Sequence, residues 1–272
     1  MESIDAALLM ELAALGVASG FLAGLLGIGG GLLIVPCLTL ILSSRHIDAD
    51  VAVKVAIATS MAIILFTSTS STLAHHRRGA IRWHAVARLA PGIVMGSLIS
   101  SLGVFAYLKG NLLALVFAVF VLASAVHMYA GRKQTGHRQL PGPAGQVGAG
   151  TAIGFTSGLV GAGGGFVSVP WMTWYSVPMR EAVATSAALG VPIAAANVTG
   201  YIASGLRAAG LPAGSVGYVW LPALAAVAAA SIVTAPLGAR AAHAIPVPRL
   251  RKIFAALLAV LAAYMFTKAG GF

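Results

Sequence analysis

The chain has 272 residues, 59% of them hydrophobic and only 8% charged, with a mean hydropathy of +0.94; soluble domains carry roughly 25% charged residues. That composition excludes a soluble fold and describes a polytopic membrane protein. The net charge of +11 does not signal nucleic acid, because the cations sit in short loops between apolar spans, where they act as topology signals toward a cytoplasm and its anionic lipids.

The N-terminal "MESIDAALLMELAALG" has no basic leader, so the first apolar stretch reads as a membrane segment of the mature protein. Apolar stretches cover about 6 to 42, 51 to 74, 85 to 108, 111 to 130, 144 to 177, 182 to 203, 215 to 238 and 252 to 270. Most approach the ~20 residues that a helix needs to cross a ~30 Å hydrocarbon core. The stretches 6 to 42 and 144 to 177 are too long for one crossing, and each is interrupted by glycines: "GLLGIGGGLLIVP" at 24 to 36 and "GLVGAGGGFVSVP" at 158 to 170. Alternating strand patterns are absent, which argues against a β-barrel. Cys37 is the single cysteine and stands in an apolar run, where a thiol serves as a small buried hydrophobe.

The two glycine stretches belong to an internal repeat. An offset of 134 places Gly16, Gly20, Phe21, Gly24, Gly27, Gly29, Gly30, Gly31 and Pro36 on Gly150, Gly154, Phe155, Gly158, Gly161, Gly163, Gly164, Gly165 and Pro170. An offset of 126 then places "KVAIATS" (54 to 60) on "REAVATS" (180 to 186). The boundary lies in the basic stretch "GRKQTGHRQLPGPAGQ", giving a first repeat over 1–134, a linker over 135–146 and a second repeat over 147–272.

Loop charges relate the halves. The loop at 75 to 88 carries Arg77, Arg78, Arg82 and Arg88, while its counterpart carries only Arg207; the next loop holds Lys109 alone, while its counterpart holds Arg240, Arg249, Arg251 and Lys252. Basic loops stay cytoplasmic, so equivalent loops lie on opposite sides. The expected fold is therefore an all-α polytopic membrane protein of two inverted-topology repeats. Each repeat has a glycine-broken helix pair plus three further helices, about eight to ten membrane segments in all. Both termini are expected in the periplasm, the N-terminus carrying Glu2, Asp5 and Glu11 and no cation.

Glycines at every fourth position, Gly16, Gly20 and Gly24 and again Gly150, Gly154 and Gly158, make a smooth ridge for close helix packing. The triplets Gly29, Gly30, Gly31 and Gly163, Gly164, Gly165 have a different use. Three glycines cost a helix roughly 2–3 kcal/mol relative to alanine, and a freed backbone group in hydrocarbon costs several kcal/mol more unless it is partnered. Such breaks persist against protein or a wet cavity, and in two inverted halves they point to a site near the midplane. Amides heading the helices after the breaks carry the positive end of the dipole, which suits an anion.

Around these breaks the repeat nominates Thr59, Ser60, Thr185 and Ser186 as lining residues, and Asn197, eleven residues after Ser186 and so on its helical face. Lys54 and Arg180 align at the starts of their helices, as snorkelling cations or anion attractors. The seven histidines include no HExxH pair, so neither a metal site nor a cofactor is expected.

With both motifs in view, "GFLAGLLGIGGGLLIVP" and "GFTSGLVGAGGGFVSVP", each followed by "ATS", resemble the TauE/SafE sulfite-exporter family of bacterial inner-membrane proteins. The resemblance implies a transporter or exporter of a small sulfur-containing anion, sulfite or an organosulfonate, working across the inner membrane as a secondary transporter by alternating access. Its implied partners are that anion and the lipid bilayer, with no nucleic acid; a homo-oligomer is left open. The rival readings are an integral membrane enzyme using His75 or His76, which needs a paired base and nucleophile or a metal set at membrane depth, and a non-transporting membrane scaffold.

Overall fold

The computed structural model describes residues 5–26, 31–130, 139–241 and 247–270. Ten helices make up the described residues, interrupted by one tiny hairpin. The first five are α1 (Ala6–Leu26), α2 (Gly31–Ser44), α3 (Ala49–His76), α4 (Trp83–Tyr107) and α5 (Gly110–Ala130). The second five are α6 (Pro143–Val160), α7 (Gly165–Trp174), α8 (Met179–Gly205), α9 (Leu221–Ala241) and α10 (Val247–Gly270). Each overlong apolar stretch is thus two helices, as the glycines require. By length and composition α3, α4 and α8 are sufficient to cross a membrane.

Local chemistry explains the helix ends. Asp48 caps α3, its carboxylate accepting the N–H groups of Asp50 at 2.9 Å and Val51 at 3.4 Å, and His75 and His76 stand at the negative end of that helix. Pro143 opens α6 at a position that has no amide to lose, and Gly161 closes it at φ 70°. Within α4 the turn Ile99–Val104 is π-helical, a wide turn that bulges the helix at Ser100 and Ser101. The apolar stretch expected from residue 215 starts instead as an antiparallel hairpin, Ser215–Val216 with Val219–Trp220, before α9 begins at Leu221. Glycines at 214 and 217, both at positive φ, hold that reversal.

Packing follows the glycine ridges. Helix α1 lies along α9, α4 along α6, α3 across α8, and α5 along α10. A Cβ on Gly16 would meet Val227 and Ala230, and one on Gly20 would meet Ser231 and Thr234, so α1 and α9 advance together and run parallel. Gly92 faces Val147 and Thr151, and Gly96 faces Thr151 and Phe155, so α4 and α6 are parallel too. By contrast α3 and α8 run antiparallel: Ser68 of α3 lies against Gly190, while Thr59 meets Trp220 beyond the C-terminus of α8 and Thr185 meets Arg82 beyond that of α3. Every one of these pairs joins a helix of residues 5–130 to one of residues 139–270, so the main core runs between the halves.

The ridges make a sharp prediction. Gly148 and Gly150 share α6, but a Cβ at 148 meets nothing within 4 Å, whereas one at 150 runs into the backbone of Leu89 and Ile93. Gly148→Ala should leave the thermal unfolding midpoint in detergent unchanged or raise it, alanine being the better helix former by about 1 kcal/mol. Gly150→Ala should lower it, overpacking costing about 1–3 kcal/mol of stability.

Candidate functional site

The second glycine break is fully described. Gly161 at φ 70° and Gly164 at φ 72° are both left-handed, so two glycines spaced by three turn the chain between α6 and α7. The triplet at 163–165 is therefore not used as a unit. Gly164 is the residue before α7 and accepts the N–H groups of Val167 at 3.0 Å and Ser168 at 2.8 Å. No described side chain caps this helix, which leaves the amides of Gly165 and Phe166 at its positive head. Gly163 is bounded by Ile64, whose Cγ2 stands 3.0 Å from where its Cβ would be.

Of the first triplet, Gly29 and Gly30 lie outside the described residues. Gly31 heads α2 and is buried, and a Cβ there would stand 2.9 Å from the Gly161 carbonyl oxygen, 3.2 Å from Ser60 Oγ and 2.7 Å from Ile64 Cδ1. The head of α2 thus meets the break between α6 and α7 directly, with Ile64 wedged between Gly31 and Gly163. The residue that the repeat pairs with Ile64 is Gly190, which faces Ser68 and the Gly163 carbonyl.

Hydroxyls gather at this meeting point. Ser60 Oγ donates to the Gly161 carbonyl at 3.1 Å. Ser168 Oγ on α7 and Ser186 Oγ on α8 are 2.7 Å apart, sharing one hydrogen bond. Ser157 Oγ, with no partner among the described residues, lies 3.2 Å from the Cβ position of Gly164. All four serines are buried. Ser157 and Ser168 escape notice in the sequence because their repeat partners, Ala23 and Ile34, are apolar.

Thr59 and Thr185 act differently from their serine neighbours. Thr59 Oγ1 accepts the Trp220 N–H at 3.0 Å, and Thr185 Oγ1 accepts the Arg82 N–H at 3.0 Å. Trp220 and Arg82 each immediately precede a helix, α9 and α4, so each threonine satisfies an amide at the start of a helix in the other half. Asn197, fully buried, donates Nδ2 to the Ile193 carbonyl at 2.8 Å, and its Oδ1 has no partner among the described residues.

The two aligned cations diverge. Lys54 is buried, with Nζ 3.1 Å from an Asp50 carboxylate oxygen and 6.0 Å from the Tyr218 ring centroid. Arg180 is exposed at the start of α8, where its neighbour Glu181 pairs with Arg82.

The family model described as "Sulfite exporter TauE/SafE" matches residues 12–265. A "Probable membrane transporter protein" of Haemophilus influenzae is 37% identical over 255 residues, covering 93% of this chain and 96% of its own. A probable membrane transporter protein of Methanocaldococcus jannaschii is 28% identical over 270 residues, 95% of each chain. One from Bacillus subtilis is 31% identical over 199 residues, 64% of this chain and 71% of its own. No solved structure matches the chain at significant similarity.

The threonine bonds can be tested by near-isosteric replacement. Thr59→Val leaves the Trp220 amide buried and unpaired and should cost about 1–3 kcal/mol in thermal stability. Thr59→Ser restores the acceptor and should recover most of that loss in the same melt.

Proposed function

Because the chain belongs to the sulfite exporter TauE/SafE family, whose relatives are named as transporters rather than enzymes, we propose that it is a secondary transporter of a small sulfur-containing anion, sulfite or an organosulfonate. The observation that carries this reading is the meeting of Gly31, at the head of α2, with the left-handed break at Gly161 and Gly164. A backbone without side chains lets a ligand approach the amides closely, and helix-head amides favour negative charge.

In this reading the amides of Gly163, Gly164, Gly165 and Phe166 hold the anion from one side and those of Gly29, Gly30 and Gly31 from the other. Ser157 and the Ser168–Ser186 pair, whose shared bond leaves one hydroxyl proton free, supply hydroxyl donors beside it, while Ser60 holds the Gly161 carbonyl. Thr59 and Thr185 contribute at one remove, by holding α3 and α8, which carry Ser60 and Ser186; Asn197 bonds within α8 and presents an acceptor, which does not suit an anion. Tetrahedral sulfonate and pyramidal sulfite both present three oxygens to such a ring of donors.

Alternating access needs two bundles that rock about the site, and since the glycine ridges lock helices of opposite halves together, each bundle would draw helices from both halves. We assign the chain to two inverted repeats, 1–134 and 147–272, in the bacterial inner membrane with both termini periplasmic. The antiparallel run of the equivalent helices α3 and α8 supports inversion, as does the exchange of equivalent contacts, α1 with α9 matching α6 with α4. The Thr59–Trp220 and Thr185–Arg82 bonds then sit toward opposite membrane faces, one latch for each. Inside-negative voltage helps an anion leave by about 2.3 kcal/mol per charge per 100 mV, so export needs no ATPase.

A thermal-shift screen of purified protein against sulfite, thiosulfate, sulfoacetate, taurine and phosphate is the direct test. At least one sulfur anion should raise the midpoint and be carried into liposomes. Ser168→Ala and Ser186→Ala should each weaken that binding about tenfold, the loss of one charge-assisted hydrogen bond. Absence of both shift and flux for every sulfur anion would sink the proposal.

A further inference from the structure

A second polar cluster lies at the other end of the same break. Ser100 Oγ and Asn197 Oδ1 have no hydrogen-bond partner among the described residues, and both residues are 0% exposed. In an apolar interior an unpartnered polar atom costs about 1–3 kcal/mol, so two together call for an explanation. They converge. Ser100 Oγ and Asn197 Oδ1 both crowd the place where a Cβ of Gly158 would stand.

The local backbone adds to the set. Ser100 sits on the π-turn of α4, whose i→i+5 bonding rotates carbonyls away from the regular ladder. Gly158 lies in the last turn of α6, where carbonyls outrun their helical donors and the dipole is negative. The Gly158 carbonyl accepts the hydroxyl of the buried Tyr201, which keeps that end of α6 in place against α8. Asn197 cannot turn its amide nitrogen inward without losing the Ile193 carbonyl, so it presents an acceptor.

We infer that this cluster binds a monovalent cation of sodium size. The groups offered are oxygens, one amide carbonyl and one hydroxyl, beside the negative end of α6, which suit a hard cation. A divalent ion of this hardness is bound through carboxylates, and no carboxylate is among these residues. Discontinuous membrane helices place sodium at half-helix C-termini in the same way. Ser100 Oγ and Asn197 Oδ1 both stand within 2.5 Å of one point, so the two oxygens are close enough together to share an ion that makes short contacts, as sodium does.

The consequence for transport rests on the anion reading above: the C-terminal end of α6 would hold the cation and the head of α7 the anion, across one break. The cation site itself does not depend on it, and is tested alone. Purified full-length protein, free of sulfur anions, is melted in NaCl, KCl and choline chloride at constant ionic strength. Sodium should raise the midpoint in a saturable way that the other two do not reproduce. Asn197→Ala and Ser100→Ala should each shift the half-saturating sodium concentration upward about tenfold or more, the loss of one ligand. Ser100→Ala removes a single oxygen and keeps the test open if the asparagine variant fails to fold. Equal midpoints in the three salts, as an internal water would give, overturn the inference, as does an unchanged sodium midpoint in both variants. A sodium response without any sulfur-anion response would retain the cation site and reject the anion reading.

Discussion

In hydrocarbon a peptide group has no water to turn to, and every interruption of a helix must be answered by protein. That constraint organises this molecule. The break between α6 and α7 persists because Gly161 and Gly164 reach left-handed conformations without strain, Gly164 closes the first turn of α7, and Ser60 reaches across from α3 to the Gly161 carbonyl. The starts of α4 and α9 are treated alike, each relying on a threonine from the opposite half. Breaks and helix ends are therefore the points at which the halves are joined.

Close packing makes those joins possible. Gly16 and Gly20 let α1 press onto α9, and Gly150 and Gly154 let α6 press onto α4, so the backbones approach with no side chain between them. Lipid offers little hydrophobic drive for helix association, and this contact supplies the dispersion energy instead. A rigid frame of that kind can carry a central region with few side chains, where Gly31, Gly163 and Gly164 stand.

Much of this was legible from residues alone. Glycine spacing separated ridge from break, repeat offsets paired Thr59 with Thr185 and Ser60 with Ser186, and eight apolar stretches, two of them split at the glycines, correspond to the ten helices, although the stretch from 215 opens as a hairpin and becomes helical only at Leu221. What remained hidden depends on direction. Period and spacing place a hydroxyl on a helix but do not say whether it meets a ligand, a carbonyl or a neighbouring amide, and adjacent Thr59 and Ser60 divide between those uses. The π-turn at Ile99–Val104 leaves no compositional trace in "ISSLGV". Comparison of repeats also hides whatever the halves do not share, which is why Ser157 and Ser168 emerged only from the coordinates.

One such unshared position has a broader implication. Ile64 fills the gap between Gly31 and Gly163, while its twin in the repeat is Gly190, with no side chain at all. For the alternating-access carrier proposed above, perfectly duplicated halves would have symmetry-related resting states of identical energy and no preferred way to face. Ile64 opposite Gly190 is one of the differences that remove that degeneracy, so on that proposal the idle protein should dwell in one orientation and the barrier to turning over should differ between its two directions.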